Sequence, residues 1–262
     1  MRRFVVEAIG TFFLVFVVTT TGLLGTAAAP FAIAAVLAVM VFAGGHISGA
    51  HYNPAVTIAV AARNRLAWRD VAAYWTAQVL GGVGGALVGR YVVADHAAAS
   101  AFTASGRAVV AATVAELLVT FALAYVVLNV ATSKHTSGNS FYGLAIGGTV
   151  LAGALTVGGV SGGAFNPAVA VGAATAGLLS WALVPLYLAV QLTAGVLAGL
   201  VFRALNPDDV AVVAVQPPVM ETRLAEVAIS IEALTTAFHG LPERHAGASS
   251  KPVPTEVPHR TH

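Results

Sequence analysis

Along most of the chain, polar residues come singly between long apolar runs, and the lengths of those runs predict the elements. A helix crossing a hydrocarbon layer of about 30 Å takes about 20 apolar residues at about 1.5 Å each. Six runs reach that length: approximately 4–25, 28–47, 68–90, 108–131, 141–160 and 181–203. Two further apolar stretches, beginning at Asn53 and Asn166, are too short. From Asn53 only about ten residues pass before Arg63, or about 15 Å of helix, half a membrane. The opening MRRFVVEAIGTFFLVFVV has the make-up of a signal peptide, with GTAAAP as its cleavage site. The run is nevertheless long enough to span, and Pro30 would follow the cut, so it reads as the first span.

The pattern occurs twice. SGAHYNPAV at 48–56 returns as SGGAFNPAV at 161–169, a displacement of 113 residues. Trp68, Tyr74 and Gln78 return as Trp181, Tyr187 and Gln191 at the same displacement, while Glu7-x-x-x-Thr11-Phe12 returns as Glu116-x-x-x-Thr120-Phe121, displaced by 109. Each half therefore holds three spans and one half-helix, and an odd number of spans turns the second copy upside down in the membrane. Inverted repeats are a common plan for channels and transporters. The predicted fold is an all-α integral membrane protein of six transmembrane helices plus two re-entrant half-helices. Its two inverted repeats, about 3–95 and 108–205, make up a channel domain over residues 1–205.

Composition agrees: 58% of residues are hydrophobic and only 9% charged, against roughly a quarter charged in a soluble domain. Charge divides the chain in two. Residues 1–205 hold nine Arg or Lys against four Asp or Glu, whereas 206–262 hold four against seven. Arg2, Arg3, Arg63, Arg65, Arg69, Lys134 and Arg203 fall on one side of the predicted spans and Arg90 and Arg107 on the other. That bias places both termini in the cytoplasm of a multi-pass protein of the cell (plasma) membrane. The basic residues thus serve orientation and call for no nucleic acid partner. With no Cys, there is no disulfide frame and no thiolate chemistry.

The acidic tail, 206–262, is predicted to be cytoplasmic and is set off by Asn206-Pro207-Asp208-Asp209. Met220, Leu224, Val227, Ile231, Leu234 and Phe238 follow at alternating spacings of four and three. They predict an amphipathic helix over 218–239, lying against its own protein or the bilayer, or else joining an intersubunit bundle. The end, 246–262, has the composition of a disordered segment.

The paired Asn-Pro has a physical reading of its own. Non-helical chain at membrane depth is tolerated only inside protein or along a water-filled cavity. Asn starts a helix there as N-cap, and Pro at the first helical position lacks the N–H that would be orphaned. The amide NH2 of Asn53 and Asn166 is then expected to be free to face whatever passes. Two half-helices entering from opposite faces bring their N-termini together, each carrying about +0.5 of an elementary charge. A cation about 5 Å away at an effective dielectric near 20 meets a penalty of about 3 kcal/mol, besides desolvation. A neutral hydrogen-bonding molecule meets two donors instead.

On HISGAHYNPAVT at 46–57, SGGAFNPA at 161–168, the two Glu residues and the 113-residue repeat, the chain resembles the major intrinsic protein family, the aquaporins and aquaglyceroporins. The likeness covers approximately residues 3–205. It implies a pore in each subunit, four subunits per assembly as a homotetramer, no cofactor, and passive permeation of water or small neutral solutes. It places the pore motifs at Asn53, Pro54 and Ala55 and at Asn166, Pro167 and Ala168. Family members typically follow the second motif with Arg, which narrows the outer mouth; Val169 stands here. Counted from the motifs, the other constriction positions are Gly163, Ala154 and Ile33. The expectation is a wide apolar constriction passing water and/or small uncharged solutes such as glycerol-like polyols, urea or ammonia, and leakier to protons. Asp after the missing Arg would suggest glycerol, but Ala170 occupies that place.

Glu7 and Glu116 are carboxylates within spans, where an acid is a candidate for proton coupling. The resemblance assigns them instead to holding loop N–H groups near the half-helices. His46 and His51 flank the first re-entrant turn and invite a metal, yet no third ligand accompanies them. Gating by His51 or packing of the pore wall fits better. GGVGGALVG at 81–89 and AGVLAGLV at 194–201 read as close helix packing. Ser, His and acidic residues form no hydrolase-like arrangement, so no catalytic residue and no enzyme activity is expected. The alternative is an ion-coupled secondary transporter of a small solute, which needs a titratable group at the central site, where only His46 and His51 stand. A scaffold with a vestigial pore is a third reading.

Overall fold

The computed structural model describes residues 1–96 and 100–209. The amphipathic helix expected over 218–239 and the disordered end expected over 246–262 lie outside the described residues. Six helices are long and apolar enough to cross a membrane: α1 (Arg2–Leu23), α2 (Ala29–Ser48), α4 (Trp68–Val92), α5 (Arg107–Val127), α6 (Tyr142–Ser161) and α8 (Val184–Leu205). Helix α5 runs on through a π-helical turn, Leu128–Thr132. Two short helices, α3 (Pro54–Ala62) and α7 (Pro167–Ala176), are about 14–15 Å long, half a bilayer. All are helices for one reason: in hydrocarbon the chain must satisfy its own N–H and C=O groups, and a helix does so within one segment.

The last span begins three residues later than its apolar run. Pro185 lies at the first turn of α8, where a missing N–H costs nothing, and Trp181 falls in the turn before it. Trp68 and Trp181 hold equivalent places, each 58% exposed, as suits aromatic residues at a membrane boundary.

Packing follows the repeat. Helix α1 lies along α4 and against α2, α5 lies along α8 and against α6, and α2 meets α6 across the two halves. The half-helices are exchanged: α3 beds against α8, and α7 against α4. Glycine permits this. A methyl group at Gly195 would stand 2.2 Å from the Ala55 carbonyl oxygen, and one at Gly82 would stand 3.0 Å from that of Ala168. These two glycines are themselves 113 residues apart, so the glycine runs seat each half-helix on the last helix of the other repeat.

Candidate functional site

Helices α2 and α6 end on Gly49 (φ 88°) and Gly162 (φ 79°), left-handed residues that turn the chain back into the protein. Each returning loop leads into an Asn in extended conformation, Asn53 (φ −154°) and Asn166 (φ −161°), which caps a half-helix. The Asn53 Oδ1 accepts from the N–H groups of Ala55 (2.8 Å) and Val56 (3.4 Å); Asn166 does the same for Ala168 (2.9 Å) and Val169 (3.4 Å). The amide NH2 groups are not wholly free, as the sequence led us to expect. Asn53 Nδ2 donates to the Phe165 carbonyl at 3.0 Å, and Asn166 Nδ2 donates to the Tyr52 carbonyl at 2.9 Å. One N–H of each amide thus stitches the two loops together tip to tip, because the meeting loops bring a carbonyl that would otherwise be orphaned in the membrane interior. One N–H of each remains.

Tyr52 (φ 48°) and Phe165 (φ 50°), just before the caps, are held in a region that bulky side chains avoid. The intramembrane carboxylates hold them there. Glu7 accepts from Ser48 Oγ (2.7 Å), the N–H of His51 (2.9 Å) and of Tyr52 (2.7 Å), and Gln78 Nε2 (2.8 Å). Glu116 accepts from Ser161 Oγ (2.7 Å), the N–H of Ala164 (3.0 Å) and of Phe165 (2.7 Å), and Gln191 Nε2 (2.7 Å). Tyr74 and Tyr187 complete the struts, donating to the carbonyls of Ser48 (2.7 Å) and Ser161 (2.6 Å). Each buried carboxylate therefore has four donors, and the repeated Tyr and Gln of the sequence acquire a purpose. The Ser residues that open both motifs carry the same signal.

Beside the Asn pair runs a narrow cavity of ≈ 30 Å³, room for about two water molecules. Its wall is mostly aliphatic, with Leu14, Leu37, Val56, Leu123 and Val150 among its residues, and Asn53, Asn166 and His51 as its polar side chains. Toward one face it gives onto a chamber of ≈ 360 Å³ that all four expected constriction residues line: Ile33, Ala154, Gly163 and Val169. Ile33, Gly163 and Val169 border the narrow cavity as well. The tightest section is thus at the Asn pair rather than at the expected constriction, because Gly163 and Ala154 occupy little of the mouth. Toward the basic face a vestibule of ≈ 690 Å³ begins at Val41 and Val130, one helical turn beyond Leu37 and Val127 of the narrow cavity.

His51 is 8% exposed and forms part of the narrow wall, with Nδ1 3.1 Å from Thr57 Oγ1. His46 does not join it. That residue lies in the last turn of α2, exposed and outside the cavity lining, since five residues of left-handed and extended loop carry His51 round to the interior. The two imidazoles are therefore not one site.

The far ends of the half-helices are capped by residues the sequence analysis had used only for orientation. Arg90 Nη1 donates to the Ala176 carbonyl of α7 (3.2 Å), and Arg203 Nη1 donates to the Ala62 carbonyl of α3 (3.4 Å). A cation suits the negative end of a helix. Arg90 and Arg203 are also 113 residues apart, a signal available from spacing alone. Arg63, just after α3, has no counterpart in the other half and is 1% exposed. Its guanidinium lies 4.1 Å from the Phe202 ring centroid, reaches Thr132 Oγ1, and pairs with Asp209 at 3.3 Å.

Six spanning helices and two half-helices meeting at paired Asn residues define an aquaporin-like membrane fold. The chain belongs to the major intrinsic protein family, whose model matches residues 1–157 and 137–241. It is 38% identical over 183 residues to Aquaporin NIP1-3 of Oryza sativa subsp. japonica, covering 66% of this chain and 63% of that one. It is 40% identical over 144 residues to Aquaporin NIP1-4 of the same organism, covering 55% and 52%. The chain thus spans between half and two thirds of the length of these relatives. Among solved structures it is similar to the aquaglyceroporin from Plasmodium falciparum, with a TM-score of 0.64, 23% identity, and coverage of 78% of this chain and 94% of that one. That likeness establishes the fold. The protein is a multi-pass membrane protein.

Proposed function

We propose that the protein is a passive channel for water and small uncharged solutes, with Ile33, Ala154, Gly163 and Val169 as a wide apolar mouth. The observation that carries this reading is the junction of two capped half-helices, Asn53 to Phe165 and Asn166 to Tyr52, beside a narrow cavity between two vestibules. Two positive helix ends of about half a charge each face whatever enters that cavity. A cation shedding its water there is repelled, whereas a neutral solute finds the remaining amide protons. The basic face, with Arg65 and Lys134 at its vestibule, is the cytoplasmic one by the positive-inside bias, and with it both termini. The family resemblance supports a homotetramer in the plasma membrane, each subunit with its own pore.

The test is osmotic swelling of proteoliposomes over a panel of neutral solutes. Water together with at least one of glycerol and urea should move faster than in protein-free vesicles, linearly with the gradient. Fast water flux with both solutes excluded would refute the wide mouth, and saturable uptake driven by an ion gradient would favour the coupled transporter. Val169→Arg should narrow the solute range; an unchanged range would remove Val169 from the pore.

A further inference from the structure

Each polar group on the wall of the narrow cavity resolves into a donor or an acceptor. The Thr57 hydroxyl has one proton and two lone pairs. It gives the proton to the Asn53 carbonyl at 3.0 Å and receives Gln78 Nε2 at 2.9 Å, so its third neighbour, His51 Nδ1 at 3.1 Å, must donate to it. In the neutral ring the proton therefore sits on Nδ1, and Nε2 carries a lone pair. A second proton on that ring is opposed by the positive ends of both half-helices close by.

The remaining groups tilt the same way. Each Asn amide has spent one N–H on the opposite loop and its oxygen on its own helix, which leaves a single donor apiece. In the chamber beside Val169 both hydroxyls have given their protons away, Ser161 to Glu116 at 2.7 Å and Thr21 to the Val17 carbonyl at 2.6 Å. Val169 itself offers nothing. The carbonyls of Ala50, His51, Gly163 and Ala164, residues that line the cavity, receive no hydrogen bond from the described residues. A carbonyl left unmet at membrane depth is costly, so these are positions for an occupant's protons. The passage is a row of acceptors with two donors at its midpoint.

Resting on the channel reading above, we infer that the passage selects small neutral molecules that donate more hydrogen bonds than they must receive, and that ammonia is its substrate class. Ammonia brings three N–H donors and one lone pair, which a single Asn N–H satisfies. Water brings two of each, and every hydroxyl of a polyol brings one donor and two lone pairs. Each lone pair left without a partner in a buried passage costs roughly a factor of ten or more in passage rate. Ammonium, carrying charge, is turned back at the helix ends, so nitrogen crosses without net charge.

The test compares two solutes of nearly equal size in the same proteoliposomes. Ammonia entry is followed as the internal alkalinisation after an ammonium chloride pulse at fixed external pH, and water entry by swelling, each corrected for protein-free vesicles. The permeability to ammonia should exceed that to water roughly tenfold, and glycerol should fall below both. Val169→Arg, which adds guanidinium donors at the mouth, should bring the ammonia-to-water ratio close to one. A wild-type ratio at or below one overturns the inference, as does a Val169→Arg ratio equal to that of the wild type. No solute moving faster than in protein-free vesicles would instead overturn the channel reading; brisk water flux with ammonia at the protein-free rate overturns this inference alone. The wild-type ratio decides the matter even where the variant does not fold.

Discussion

Glu7 and Glu116 are each fully buried in a helix that crosses hydrocarbon, a setting that penalises a carboxylate heavily unless it is satisfied. Four donors converge on each, two of them backbone N–H groups of the re-entrant loop. The carboxylate is therefore a strut, and what it supports is the strained backbone before each Asn. Glu116→Gln keeps the shape but replaces one oxygen with an NH2 that faces donors. The variant should lose about 2–4 kcal/mol of stability, seen as a lower melting temperature and poorer assembly in detergent. Normal assembly with a lost pH dependence of flux would assign Glu116 to proton coupling instead.

At the scale of elements, what matters is how closely helices approach. The half-helices reach the centre because α8 and α4 present no side chain where Ala55 and Ala168 pass. Adding one carbon at Gly195 meets a backbone oxygen that cannot turn aside, whereas Gly148 on α6 has nothing within 4 Å of the same added carbon. Gly195→Ala should thus cost about 1–3 kcal/mol in thermal unfolding and displace α3 and its Asn53. Gly148→Ala should be neutral or slightly stabilising, by up to about 1 kcal/mol. Equal effects of the two substitutions would mean that α3 is not held by close approach to α8. Capping by Arg90 and Arg203 acts on these elements too, since each steadies the end of a half-helix that carries no pore residue.

Across the whole molecule the two repeats are alike at the junction and unlike at the basic face. There Asp209, just beyond α8, gathers Arg63, Arg65 (3.1 Å), Ser133 Oγ (2.8 Å) and the Lys134 N–H (3.0 Å), tying α3, the α5–α6 connection and α8 together. Burial pushes the Asp209 carboxyl up, but these hydrogen bonds and the Arg63 charge outweigh it and hold the group below the usual carboxylate range. A depressed carboxylate adds stability that is complete above its unfolded value, about 4, and is lost as pH falls through the lower folded value. Asp209→Asn leaves the buried Arg63 without its counter-charge and should cost about 3–5 kcal/mol near neutral pH. Melting curves of wild type and variant should converge as the medium is acidified below about pH 4, and a constant difference would assign the loss to packing.

The number of spans, the two half-helices, the inverted repeat and the residues of the Asn junction were legible in the sequence. Apolar run length and exact repetition are local properties, and bilayer thickness converts them directly into elements. Tertiary structure alone decided the rest. That one N–H of each Asn is spent on the opposite loop depends on Tyr52 and Phe165 carbonyls more than 110 residues away arriving within 3.0 Å. That His51 belongs to the wall and His46 does not depends on how the loop after Gly49 turns. That the tightest point is the junction rather than the Val169 mouth depends on how eight helices share one interior. Spacing along a chain fixes which side chains are available, whereas the meeting of two loops from opposite faces sets which hydrogen-bonding groups remain for a passing molecule.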